Sequence, residues 1–202
     1  MIPSWQGSGA ALNGAWRLAL RDPDALEAFD LDADAFWRSF FAMVLGFPLW
    51  FYIATTNRSY LIDLAALRGE TLTLPDPAFY IAVGAAAYAV NWLLFLILMI
   101  PLSRVLDASA NYARFVVTRN WAMLLALFLL ATPSAALYNI GVLSAVGKAN
   151  LDLVALIVEL TFFWHVTRVS LDVNGVVALG LCPRDLLISL RFFDLTASLY
   201  GL

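Results

Sequence analysis

Residues 78–101 read AFYIAVGAAAYAVNWLLFLILMIP, an apolar run without one charged side chain. It meets the ~20 residues that carry a helix across a bilayer's hydrocarbon. Working outward, stretches of comparable length and hydropathy stand at 36–55, 113–131 and 151–169. The fold class that follows is all-α: a polytopic membrane helical bundle with four transmembrane helices. Five is the alternative, because residues 134–147 are too short for an ordinary span yet too apolar for a free loop. That piece is read as lying in the outer interface or extending the third helix. The chain divides accordingly into an amphipathic and acidic cytoplasmic segment (1–35), the bundle (36–169) and an interfacial C-terminal helix (170–202).

Charge placement supports four spans and orients them. With the N-terminus cytoplasmic, that side collects Arg17, Arg21, Arg38, Arg104, Arg114, Arg119, Arg168, Arg184 and Arg191, nine of the twelve Lys and Arg residues. Only Arg58, Arg68 and Lys148 remain outside, the asymmetry that orients membrane helices. If 134–147 crossed as well, seven would lie inside against five outside, a weaker bias. Both termini are therefore expected in the cytoplasm. Composition agrees: 62% apolar and 13% charged residues stand far from the roughly half and quarter of soluble domains. A net charge of −3 offers nucleic acid no basic surface. One cysteine, Cys182, excludes intrachain disulfides and Cys-cluster metal sites. The first twenty residues lack the features of a cleaved signal peptide, so the N-terminus is expected to be retained and a bacterial inner membrane is the expected location.

Local signals place the shorter elements. After Ser8, Leu12, Ala15, Trp16 and Ala19 recur at helical spacing beside Arg17 and Arg21, which predicts an amphipathic helix on the membrane surface. Asp22-Pro23-Asp24 opens a second short helix ending near Asp30, and Asp32 or Asp34 can cap the next. Pro48 is expected to bend the first span, with Trp37 and Tyr52 at its two interfaces. Pro75-Asp76-Pro77 ends the loop 56–77 and starts the second span, whereas Pro133 is expected to break the third. Asn174-Gly175 interrupts the pattern after the fourth span, and Pro183 opens a last helix carrying Arg184, Arg191 and Asp194.

Among residues able to carry chemistry, Glu159 leads, because it falls near the middle of the fourth span. A carboxylate there costs about 3 kcal/mol on insertion scales, so it must face protein or water. Burial favours its protonated form, able to donate a hydrogen bond. Asn91, at similar depth in the second span, is the expected partner. The two readings are a proton or cation site at the midplane and an interhelical hydrogen bond; the second is preferred. Asp152 lies seven residues before Glu159 on the same stripe, either as the mouth of an entry path or, the preferred reading, as the cap of the helix starting beside it. Thr161, His165 and Arg168 form another stripe nearly opposite, so the fourth span is expected to be packed on both sides.

His165 is the only histidine, which removes haem held by two histidines and multi-histidine zinc. Asp30, Asp32 and Asp34 imitate a calcium loop, but Ala35 replaces the required glycine and Phe41 the bidentate Glu. No metal and no cofactor is expected. The acids Asp22, Asp24, Glu27, Asp30, Asp32 and Asp34 supply helix caps and a solvated surface, with docking of a basic partner as the sharper alternative. Ala82 with Ala86, and Ala85 with Ala89, stand at fourfold spacing and permit close approach of another helix. No Walker loop, dinucleotide fingerprint, Gly-x-Ser-x-Gly elbow or His-Glu-x-x-His helix is present, and no catalytic residue is nominated.

The lead Gly14-Ala-Trp-Arg-Leu-Ala-Leu-Arg-Asp-Pro23, followed by closely spaced apolar helices, resembles the Yip-domain family of small multi-span membrane proteins, which usually have five spans. The resemblance implies a non-catalytic protein that organises membranes or binds partners, and it transfers no catalytic residues. The expected function is therefore association within the lipid bilayer, as a homo-oligomer or as an accessory subunit of another membrane protein complex. The alternative is a small transporter or proton-coupled subunit using Glu159, with Asn91 and Asp152 lining its path.

Overall fold

The computed structural model describes residues 5–182 and 198–200, and among them every regular element is helical. In chain order these are α1 (Trp5–Ala19), a 3-10 turn (Ala25–Ala28), α2 (Ala33–Ser39), α3 (Phe41–Leu67) and α4 (Pro77–Val105). A 3-10 turn (Ser109–Asn111), α5 (Tyr112–Ala126), a π turn (Leu127–Ala131), α6 (Thr132–Asn139) and α7 (Ala145–Leu171) follow. Residues 175–182 are helical again. Among the described residues, four helical stretches are long and apolar enough to cross a membrane by length and composition: Ala33–Leu67, Pro77–Val105, Ser109–Asn139 and Ala145–Leu171.

The helix starts follow local chemistry. Asp32 accepts from the Ala35 amide at 2.5 Å and caps α2. Asp76 accepts from the amides of Ala78 and Phe79, with Pro77 supplying a first helical position that needs no donor. Pro48 sits inside α3 and Pro101 inside α4 without ending either helix. After Asp22-Pro23-Asp24 comes only one 3-10 turn, since Asp22 turns back to accept from the Asp24 amide and from Arg17.

Pro133 does not break the third span, contrary to expectation. The backbone widens into the π turn just before it, and α6 continues the same run to Asn139. A π turn shifts the register by one residue, which relieves the clash between a proline ring and the preceding turn. The Thr132 hydroxyl donates to the Leu127 carbonyl at 2.7 Å, so the acceptor at the start of the loosened turn is occupied. Residues 134–139 thus extend the third helix, which was one of the two readings of that piece.

α5 is the hub. Phe115, Val116, Val117, Trp121, Ala122, Leu124 and Ala126 are all buried on it, and α1, α2, α3, α4 and α7 pack around it. α1 is part of this packing: Ala11, Ala15 and Leu18 are buried, and the helix lies against α5. The stripe expected to meet lipid is thus rotated, with Ala15 common to both and Trp16 46% exposed. Ser8 lies within α1, not before it. α3 and α4 approach closely at Gly46, where a Cβ would stand 2.7 Å from the Tyr88 hydroxyl, itself donating to the Met43 carbonyl at 2.9 Å.

α7 ends at Asp172, in the left-handed region at φ 56°, and Asn174 caps the next helix by accepting from the Val177 amide at 2.9 Å. Arg114 donates to the Ser170 carbonyl and Asn111 to that of Leu171, so the acceptors exposed at the end of α7 are occupied. The expected helix from Pro183 through Arg184, Arg191 and Asp194 lies outside the described residues. Tyr200, however, stacks on Tyr80 at 4.7 Å and donates to its carbonyl at 2.9 Å, in the first turn of α4. That places the described C-terminal residues at the end of the bundle where α4 begins, opposite the end where α7 finishes.

Candidate functional site

Three helices and the 175–182 segment enclose a cavity of about 250 Å³ whose polar lining is Asn91 of α4, Arg119 of α5, Glu159 and Thr167 of α7, and Cys182. The predicted neighbours Asn91 and Glu159 thus share one space. Arg119, assigned by sequence to a cytoplasmic connection, is instead 5% exposed inside the bundle. Its guanidinium lies 4.6 Å from the Phe95 ring and 4.3 Å from that of Phe163, held between α4 and α7 by two cation–π contacts. A cation and a carboxyl in one cavity allow the site to carry charge without exposing a lone ion to lipid.

Beside Arg119, Asn120 is fully buried and links three helices. Its side-chain oxygen accepts from the Trp92 indole at 2.9 Å, and its amide donates to the Ser39 hydroxyl at 2.9 Å. Ser39 in turn donates to the Phe36 carbonyl at 2.7 Å. Every member of this chain has both a position and a partner, which makes the network rigid. Neither Arg119 nor Asn120 was singled out from sequence. The available signal was their position six and seven residues past the start of the span 113–131, where a polar side chain must be buried in protein.

Asp152 is not a cap. Ser144 caps α7 by accepting from the Gly147 amide at 3.1 Å, so the helix starts seven residues earlier than Asp152. One oxygen of Asp152 accepts from Ser134 and the other from Lys148 at 2.6 Å. Lys148, only 3% exposed, also lies 4.6 Å over the Tyr60 ring. Around this pair Tyr138 donates to Asp63, and Asn139 donates to Tyr52 and Thr56 at 3.1 and 3.0 Å. The result is a polar plate joining α3, α6 and α7.

The remaining candidates are separate. His165 and Thr161 face a different cavity, on the flank of α7 toward α1, while Arg168 lies 5.8 Å over Trp164. α7 is therefore packed on both sides, as the two polar stripes require. Ala82 and Ala86 are exposed and Ala85 and Ala89 half-buried; within the chain, α3 is met instead at Gly84, 3.0 Å from Trp50 by its added Cβ. Of the six acids, Asp22 binds Arg17 at 2.6 Å, while Asp30 and Asp32 stand 3.0 and 3.6 Å from Arg38. The Arg17 guanidinium holds the Asp22 carboxyl below its ordinary range. Asp24, Glu27 and Asp34 are exposed. Among the described residues no cluster of three His, Cys, Asp or Glu side chains forms a metal site. Comparison with protein families, with curated proteins and with solved structures finds no match.

Proposed function

We propose that this chain is an integral membrane protein, not an enzyme, that acts by association: a membrane-organising protein or an accessory subunit of a larger membrane complex. The four long apolar helices support the membrane part of this reading. The observation that carries association over transport is the state of Asp152, whose two oxygens are taken by Lys148 and Ser134. The acid at the mouth of the supposed path toward Glu159 is instead engaged in holding α7 to α6 and in pairing with Lys148. Glu159 then serves packing, in a cavity that also holds Arg119 and Asn91. The exposed Ala82 and Ala86 leave α4 a face that a helix of a second copy or of a partner can approach closely.

The proposed orientation keeps the N-terminus cytoplasmic. Arg17, Arg21, Arg38, Arg104, Arg114 and Arg168 fall on that side, against Arg58, Arg68 and Lys148 on the other. Residues 198–200, beside Tyr80, then face outward.

The experiment is purification of the tagged protein from its native membrane in mild detergent, with mass spectrometry of what remains bound, beside the same preparation of Glu159→Gln. A stoichiometric partner or homo-oligomer that survives Glu159→Gln supports association. A lone monomer, with proton or cation flux in liposomes that Glu159→Gln abolishes, would replace it by transport. Tags at the two ends, probed in sealed vesicles, test the orientation: they should be protected from opposite sides.

A further inference from the structure

The second cavity, about 220 Å³, lies on the other flank of α7 and takes no part in the networks above. Its walls are apolar, formed by Leu125, Leu129 and Leu130 on one side and Val158 and Phe162 on the other. Leu129 and Leu130 belong to the π turn, so the widened backbone before Pro133 forms part of this wall. Single π turns inside helices recur where a helix is reshaped around a site.

The polar side of the cavity is cationic. Arg21 lines it together with His165 and Thr161. Arg21 stands just past the end of α1 at φ 60°, the left-handed position that glycine usually takes at a helix end. Its own neighbour Asp22 is bound to Arg17 at 2.6 Å, and among the described residues no ion pair engages Arg21. Trp16, 46% exposed, stands at the same cavity, as an aromatic ring does at the level of lipid headgroups.

We propose that this cavity binds one anionic phospholipid, an acyl chain lying along the leucine and phenylalanine walls and the phosphate at Arg21, with His165 and Thr161 beside it. Two features select that ligand. The walls reward burial of a hydrocarbon chain, which a free phosphate lacks. The guanidinium rewards a phosphate, and a zwitterionic headgroup brings its own cation to compete for it. The proposal rests on the membrane reading above.

The test uses the full chain purified in mild detergent, with native mass spectrometry after addition of phosphatidylglycerol, phosphatidylcholine or inorganic phosphate. The expected result is one retained phosphatidylglycerol, at occupancy about tenfold above phosphatidylcholine, the change a charge-assisted hydrogen bond gives. Arg21→Gln should remove that preference, and Leu129→Trp, which fills the wall from its exposed side, should lower binding of both lipids. Equal retention of the two lipids by the unaltered protein, or a preference unchanged in Arg21→Gln, would overturn the proposal, and the first comparison needs no variant to fold. Displacement of phosphatidylglycerol by millimolar phosphate would assign the site to a soluble anion instead. Extraction of native membranes with alkaline carbonate separates the two readings: release of the chain defeats membrane insertion, whereas retention without lipid selectivity defeats only this site.

Discussion

The two flanks of α7 use polar residues in opposite ways. Toward α4 and α5, Glu159 shares a cavity with Arg119 and Asn91, and Asn120 beside it is bound on both sides by Trp92 and Ser39. Toward α1, Arg21 and His165 border a space whose walls are leucine, valine and phenylalanine. In the first, cation, carboxyl and amide line one cavity between helices, and Asn120 joins α2, α4 and α5. In the second, a cation is presented to an apolar space that the chain does not fill.

Removing the cation from the first flank should break that contrast most sharply. Arg119→Leu takes the guanidinium out of the cavity it shares with Glu159 and removes two desolvated cation–π contacts, at a cost of about 2–4 kcal/mol. The check is the midpoint of thermal unfolding in detergent. Arg119→Leu with Glu159→Leu should recover part of the loss; a double variant no better than the single one would show that the two residues do not compensate each other. Arg21→Gln, on the other flank, should leave the midpoint almost unchanged.

Asn120→Ala comes next. It leaves the Trp92 indole and the Ser39 hydroxyl without their bonds in a site closed to water, which costs about 2 kcal/mol. Tryptophan fluorescence should report the indole's change of environment together with the lowered midpoint. Gly46→Ala places a Cβ 2.7 Å from the Tyr88 hydroxyl, and displacing that ring from the Met43 carbonyl should cost about 1–3 kcal/mol. The same change at Gly180, where nothing lies within 4 Å, is the control and should be close to neutral.

How far the sequence could be read follows the range of the forces involved. The helix starts at Asp32, one of two candidate caps, and at Pro75-Asp76-Pro77 were legible because such a start is settled within three residues of chain. The four long helices were legible because hydropathy is additive along a segment. Asp152 was misplaced because Ser144 does the same work earlier, and only the bound Lys148 reveals what an acid seven residues inside a helix is for. Pro133 was misread because the π turn that absorbs it depends on packing around α5. Arg119 looked like a loop residue because the run of charge from Arg104 to Arg114 continues into it; its burial depends on Phe95 and Phe163, 24 residues before it and 44 after. The end of the bundle that receives Tyr200 could not be read at all, since that contact spans most of the sequence.

The smallest expected effect lies at the base of the second flank, where Arg17 holds Asp22 and so leaves Arg21 as the cation facing the cavity. The Asp22 carboxyl titrates below the 3.8 of an unpaired aspartate because it accepts from the Arg17 guanidinium and from the Asp24 amide. A group whose native pKa is lowered stabilises the fold fully above the unfolded value, and that contribution disappears as pH falls through the native one. Both side chains are about a third exposed, so water and salt screen the pair and its effect on the midpoint is small. Asp22→Asn should therefore lower the midpoint slightly at pH 7, less so in high salt, and the difference from the unaltered protein should shrink as pH falls below 3.8 and close once the native carboxyl is protonated. If the difference persisted unchanged at pH 3, the loss in Asp22→Asn would come from the backbone geometry of the turn and not from charge. Arg21 would then keep its place without Arg17, and lipid selectivity in Asp22→Asn should match that of the unaltered protein.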